Sequence, residues 1–183
     1  FDERVAPQGS YLNDVRLGAD GRHAYVTDSG ARGAIVVVDL PGGRARRARD
    51  GDPSTQVEKG VVIKVAGREL RRPDGRAPEF AADGIALSPD GRYLYWQATT
   101  GRTLYRVPTA ALDDARLRPE ALAAKVEKVG ENGVADGLLI DERGRMYVTS
   151  PEDDSVKRRD DVAAGTPPTI LVQDPRLRWP DTF

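Results

Sequence analysis

The chain has no cysteine and a single histidine in 183 residues. Without thiols there is no thiolate nucleophile, no disulfide staple and no thiolate metal site. No nucleotide or haem site is expected either. One imidazole, His23, cannot build a multi-histidine metal centre, and any serine triad would depend on it alone. Long apolar runs are also missing. The longest purely aliphatic stretch is AIVVV at 34–38, far short of the ~20 residues that span a bilayer, so no membrane span is expected. Charge of one sign is missing too: 28 Lys and Arg against 29 Asp and Glu leave a net charge of −1. That removes the broad positive field that draws a protein onto nucleic acid, and no such partner is expected. The sequence opens at Phe1 with no basic-then-apolar leader, so any signal segment has been cleaved, cut away or never existed. What is present, 39% hydrophobic and 31% charged residues, is the composition of a globular domain that can bury a core.

One pattern occurs three times. LNDVRLGADGRHAYVTDSG (12–30), ADGIALSPDGRYLYWQATTG (82–101) and ADGLLIDERGRMYVTSPED (135–153) each place an Asn or Asp eight residues before a glycine: Asn13 and Gly21, Asp83 and Gly91, Asp136 and Gly144. After each glycine comes Arg and a β-prone run, and before it lies a short apolar run. Two strands joined by a tight glycine turn are the natural reading, because glycine accepts the positive φ of hairpin turns. Third strands follow at 33–40, 103–108 and 154–159, and fourth strands at 44–49, 125–130 and 169–174. Each unit is thus a four-stranded antiparallel meander.

The units cover roughly 12–50, 82–130 and 135–174, and WPDTF at 179–183 reads as the start of a further blade. Insertions fall at 51–81, which contains a predicted extra hairpin, and at 109–124, where TAALDD and PEALAAK predict short helices with Pro119 in a first turn. Repeating four-stranded units without a helical layer predict an all-β fold, a β-propeller with three blades present. A two-sheet sandwich is the alternative. A blade buries its faces against neighbours on both sides, so three blades are expected to be a fragment whose ring is closed by further blades of the same protein.

SYLNDVRL, AYVTDSG, IVVVDL, DGIALSPDGRYLYWQATTGRTLYRVPT and WPDTF together resemble the Yellow and major royal jelly protein family. SPDGRYLY is shared by many propellers; YLNDV with a distant WPDTF is more specific. The resemblance implies a six-bladed ring, an extracellular or periplasmic location, and members that bind small amines, convert dopachrome-like quinones or serve as nutritive or structural proteins. The repeats are also similar to the gluconolactonase and senescence marker protein group, whose channel holds a divalent metal. On that resemblance Asn13 and Asp136 match metal-binding positions, and Asp83 stands where the group has asparagine. No residue matches the group's glutamate.

The residues themselves lead to the same place. Equivalent positions at the start of each innermost strand converge on the propeller axis, so Asn13, Asp83 and Asp136, with Asp181 as a fourth, are the candidate metal ligands; their oxygens suit calcium or another divalent cation. The competing reading is that these side chains only cap backbone groups at strand starts. Three functions follow: a propeller that binds or converts a small polar or aromatic ligand at the channel mouth, a metal-dependent lactonase, or a non-enzymatic extracellular scaffold. Elsewhere, His23 is expected as a packed or half-exposed strand residue. Arg44, Arg46, Arg47 and Arg49 are expected to form an exposed, charged edge. EDDSVKRRDD at 152–161 reads as a mixed-charge surface segment lacking an EF-hand pattern. Trp96, Tyr95 and Tyr105 are expected to pack between blades.

Overall fold

The glycine at the centre of each repeat turns the chain. In the computed structural model, which describes residues 1–183, Gly21, Gly91 and Gly144 have φ of 65°, 69° and 77°, a left-handed backbone that a Cβ disfavours. The Oδ1 atoms of Asp20, Asp90 and Asp141 lock these turns, accepting the N–H groups of Arg22, Arg92 and Arg143 at 2.8, 3.0 and 3.0 Å.

Around these turns the chain forms β1 (Leu12–Leu17), β2 (His23–Asp28), β3 (Ala34–Asp39) and β4 (Arg44–Ala48). The short pair β5 (Lys64–Val65) and β6 (Arg68–Glu69) follows. Next come β7 (Ala82–Leu87), β8 (Tyr93–Ala98) and β9 (Thr103–Pro108), helices α1 (Thr109–Asp113) and α2 (Pro119–Ala123), and β10 (Glu127–Glu131). The last unit is β11 (Leu138–Ile140), β12 (Met146–Ser150), β13 (Ser155–Arg159) and β14 (Thr169–Gln173). Three four-stranded antiparallel meanders result, with β5 and β6 as a separate two-stranded hairpin. No strand forms at 179–183.

Alternation along the strands sends side chains to both faces of each sheet, and the middle sheet is covered on both. Tyr25, Ile35 and Val37 of the first sheet meet Ile85, Leu94, Trp96 and Val107 of the second, with Leu112 and Leu122 from the two helices closing the outer end. On its other face the second sheet offers Ala86, Tyr95 and Leu104 to Leu138, Met146 and Val148 of the third. A sheet sandwiched between two others cannot belong to a two-layer sandwich; the sheets are consecutive blades of a β-propeller. Trp96 is fully enclosed, donates from Nε1 to the Ser54 carbonyl at 2.8 Å and stacks on Tyr105 with centroids 6.1 Å apart. Enclosing an apolar side chain of this kind contributes about 2–3 kcal/mol.

Close approach of the blades also explains the glycine that follows two of the leading aspartates. A side chain on Gly84 would collide with the Asp136 carbonyl of the next blade, and one on Gly137 would collide with the carbonyl of Asp181. Asp181 therefore lies against the third blade much as Asp136 lies against the second.

The basic run on β4 departs from its expected exposed edge. Only Arg44 is exposed, while the Arg47 and Arg49 side chains retain 6% and 5% of their accessible surface. Residues 1–11 fold over Arg47, whereas Arg49 is enclosed by residues 52 and 119. Arg47 donates to the carbonyl of Val5 at 2.9 Å, to the carbonyl of Arg32 at 2.6 Å and to Asp28 at 2.6 Å. Arg49 pairs with Asp52 and donates to the Pro119 carbonyl at 3.2 Å. The segment at 152–161 carries pairs of Asp153 with Lys157 and Arg158 with Asp160.

Candidate functional site in the propeller channel

The inner strands β1, β7 and β11 lie side by side, so the residues that open them meet. Asn13, Asp83, Asp136 and Asp181 all line one cavity of about 700 Å³. They meet unequally. Asp83 and Asp136 are buried at its base, with 6% and 8% exposure, whereas Asn13 and Asp181 are exposed. The Asn13 amide donates to Asp83 Oδ1 and reaches Ser29 Oγ at 3.4 Å, which leaves its own oxygen free. Asp181 hydrogen-bonds neither buried carboxylate; its Oδ1 accepts from the adjacent Thr182 hydroxyl at 3.3 Å.

Thr99 sits between the two buried acids. Its hydroxyl oxygen lies 3.0 Å from Asp83 Oδ2 and 3.3 Å from Asp136 Oδ1. One hydroxyl hydrogen serves one acceptor at a time, so the other carboxylate oxygen is left open to a proton, a cation or water from the cavity. Burial, followed by the charge of Asp136, pushes the Asp83 carboxyl up to about 7. Burial, followed among the raising influences by Asp181 and Asp14, pushes Asp136 to about 6, against the pull of the Trp179 and Thr99 hydrogen bonds. Asp14 is raised as well, by burial and then by Asp181, despite Arg16. Near neutral pH the cavity base therefore holds two carboxyl groups poised between acid and anion, the condition for proton transfer.

Several wall residues were not singled out as site residues in the sequence. Trp179 donates its indole N–H to Asp136 Oδ2, with its backbone at φ 99°, and meets Phe80 edge-on with centroids 6.4 Å apart. Tyr11, Arg72, Glu79 and Phe80 complete the mouth. Glu79 supplies a glutamate to the cavity from the first insertion, a place the family pattern does not point to. Ser29 and Thr99 did leave a signal, since both stand eight residues after their hairpin glycine. The insertion residues left none, because no repeat relates them.

The donors match a hard divalent cation in kind: the amide oxygen of Asn13 and the carboxylates of Asp83, Asp136 and Asp181, all oxygen, with clustered negative charge that a cation would neutralise. The other sequence expectations fall elsewhere. His23 is half-buried at the start of β2, and Trp96, Tyr95 and Tyr105 pack between blades. No helix is long and apolar enough to cross a membrane.

An arc of four-stranded meanders with carboxylates gathered where its inner strands meet places the chain among the β-propellers. It belongs to the major royal jelly protein family, whose sequence profile matches residues 1–166. No curated protein matches it in sequence. Among solved structures it is similar to regucalcin, a calcium-binding protein from Agrobacterium tumefaciens, with 21% identity, a TM-score of 0.54, and 87% of this chain and 45% of that one covered. It is also similar to a gluconolactonase from Xanthomonas campestris, with 17% identity, a TM-score of 0.52, and 89% and 48% covered. A chain of the nidogen/laminin complex gives 16% identity, a TM-score of 0.56, and 92% and 50% covered. These likenesses concern the fold, and the chain spans about half the length of the structures it matches.

Proposed function

We propose that the channel cavity binds a small polar or aromatic molecule, with Asp83 and Asp136 as its anionic contacts and Trp179, Phe80 and Tyr11 as its apolar walls. The observation that carries this reading is the pair of buried, proton-poised carboxylates at the base of a 700 Å³ cavity with aromatic rings around the mouth. An organic amine satisfies both features: the ammonium replaces the missing proton between the acids, and an attached ring meets the aromatic faces. A carboxyl pair titrating near neutrality also suits proton transfer within a bound quinone or catechol. Secretion and closure of the ring by further blades of the same protein belong to this proposal and rest on the family.

Calorimetric titration with catecholamines and simple aromatic amines tests it. Saturable binding that weakens at least about tenfold in Asp136→Ala supports the reading. No heat at millimolar amine overturns it.

The second reading, a divalent-cation site serving lactone hydrolysis, is favoured by the all-oxygen donor set of Asn13, Asp83, Asp136 and Asp181. The likeness to calcium-binding regucalcin and to a gluconolactonase accords with it. A bound cation would polarise a carbonyl and acidify water there. Calcium that raises the melting temperature of the chain but not of Asp136→Ala supports this reading. Lactone hydrolysis that survives in Asp136→Ala removes it.

A further inference from the structure

The one histidine is not among the residues that line the channel cavity, and it is not alone. His23 opens β2 at the outer end of the first hairpin, with Asp20 in the turn beside it and Asp113 brought to it by α1 of the next blade. Its Nδ1 lies 2.7 Å from Asp20 Oδ2 and 3.6 Å from Asp113 Oδ1. The three ligating atoms all fall within 4.8 Å of one another.

The two carboxylates are held in place by groups other than the imidazole. Asp20 Oδ1 accepts the backbone N–H groups of Arg22 and His23 at 2.8 and 3.1 Å, which turns Oδ2 toward the ring. Asp113 Oδ1 accepts the hydroxyl of the buried Tyr25 at 2.8 Å. Hydrogen bonds from a second layer of residues are what orient ligands around a protein-bound metal. Nδ1 carries at most one hydrogen, and Asp113 stands beyond hydrogen-bond reach of it. That hydrogen therefore satisfies Asp20 and leaves the second carboxylate facing the same nitrogen without a share of it. A divalent ion in place of the hydrogen would bind the nitrogen and both oxygens together.

We propose that Asp20, His23 and Asp113 form a second metal site, for a borderline divalent ion such as zinc. One imidazole nitrogen with two carboxylates suits such an ion, whereas calcium prefers oxygen alone. The chain offers this ion no thiolate and no other imidazole to compete. The site adjoins a cavity of about 470 Å³ whose walls include Arg22, Asp39, Arg44 and Arg46, so water or a small anion has access to the remaining coordination position. Asp20 and His23 belong to one hairpin, while Asp113 arrives from α1, so the ion would tie the first blade to the second. It is independent of the channel site, whose donors are all oxygens.

The single imidazole makes the test direct, because its ring proton resonances are the only ones of their kind in the chain. Zinc titrated into the folded chain at pH 7 should shift those resonances to saturation at one equivalent and raise the melting temperature. In Asp113→Asn, which keeps an oxygen for the Tyr25 hydroxyl, zinc affinity should fall about tenfold or more while the far-ultraviolet circular dichroism is unchanged. Calcium should leave the ring resonances where they are. Resonances unmoved by millimolar zinc, or moved equally well in Asp113→Asn, overturn the proposal, the latter outcome marking a lone surface imidazole. Should Asp113→Asn unfold, Asp20→Asn in the exposed turn carries the same expectation.

Discussion

Arg47 and Asp28 form an ion pair, 2.6 Å from Nη1 to Oδ2, with side chains that keep 6% and 0% of their accessible surface. The carboxylate is further bound by Ser10 Oγ at 2.5 Å and by the backbone N–H groups of Tyr11 and Gly30 at 2.8 and 3.0 Å. Tyr11 and Gly30 are walls of the channel cavity. One outer-strand arginine thereby fixes one side of the mouth through an acid at the end of β2. Removing a single partner of a buried pair leaves an uncompensated charge, at about 3–5 kcal/mol. Arg47→Ala is thus expected to lower the melting temperature steeply and to loosen residues 1–11. Faster amide hydrogen exchange at 9–11 would report that loosening; exchange unchanged from the parent would contradict the linkage.

Stability should depend on pH through Asp83. Its folded carboxyl is raised to about 7 from an unfolded value near 3.8, so the folded state holds a proton that the unfolded state releases. The contribution is fully present below about pH 4 and is lost as pH rises through 7, on the order of a few kcal/mol. Asp83→Asn, a neutral mimic, should melt slightly above the parent at pH 4.5 and well above it at pH 8 in the presence of a chelator. A constant difference between the two pH values would show that the burial of Asp83 does not govern its charge.

Gly84 is open to a steric test. Its φ is not left-handed, so Ala is acceptable to the backbone, and what stands in the way is the Asp136 carbonyl together with the Leu138 side chain. Overpacking of this kind costs about 1–3 kcal/mol. The matching drop in melting temperature is about 2–4 °C per kcal/mol for a chain of this size. Because the displaced carbonyl belongs to Asp136, Gly84→Ala should weaken ligand binding in the channel as well. A stable variant with parental affinity would mean the blades can slide apart without disturbing the acids.

The two tryptophans divide the fluorescence between them. Trp96 is fully enclosed, and Trp179 is half-exposed with its indole on Asp136. A ligand that occupies the cavity should change the emission of Trp179 alone, so the response should vanish in Trp179→Phe. Persistence of the full response in that variant would place the ligand elsewhere.

The repeat was legible because hairpin chemistry is local. Gly21, Gly91 and Gly144 and the carboxylates before their arginines announce the turns, and the turns set the inner strands. Convergence of Asn13, Asp83 and Asp136 followed from that register alone. The sequence did not reveal how unequal they are: depth depends on what lies above, and Thr99, Trp179 and the chain's first eleven residues are fixed only by folding. Arg47 misled for the same reason. An outer strand of alternating arginines looks solvent-facing until a distant segment covers it, and nothing near residue 47 marks Val5 or Ser10 as its partners. His23, Asp20 and Asp113 combine the two cases, since two members lie three residues apart and the third arrives from another blade.

Arg72, Glu79 and Phe80 reach the channel mouth from the long insertion between the first two blades, outside any repeat. The equivalent inner strands supply acidity, and under the proposed function the choice of guest would fall to this loop, which is pinned to the second blade at Phe80 through paired hydrogen bonds with Thr100 and is exposed over 71–76. If the proposed function holds, relatives that share every inner-strand carboxylate are expected to differ in what they bind, and grafting residues 70–80 between two of them should move the preference along with the loop.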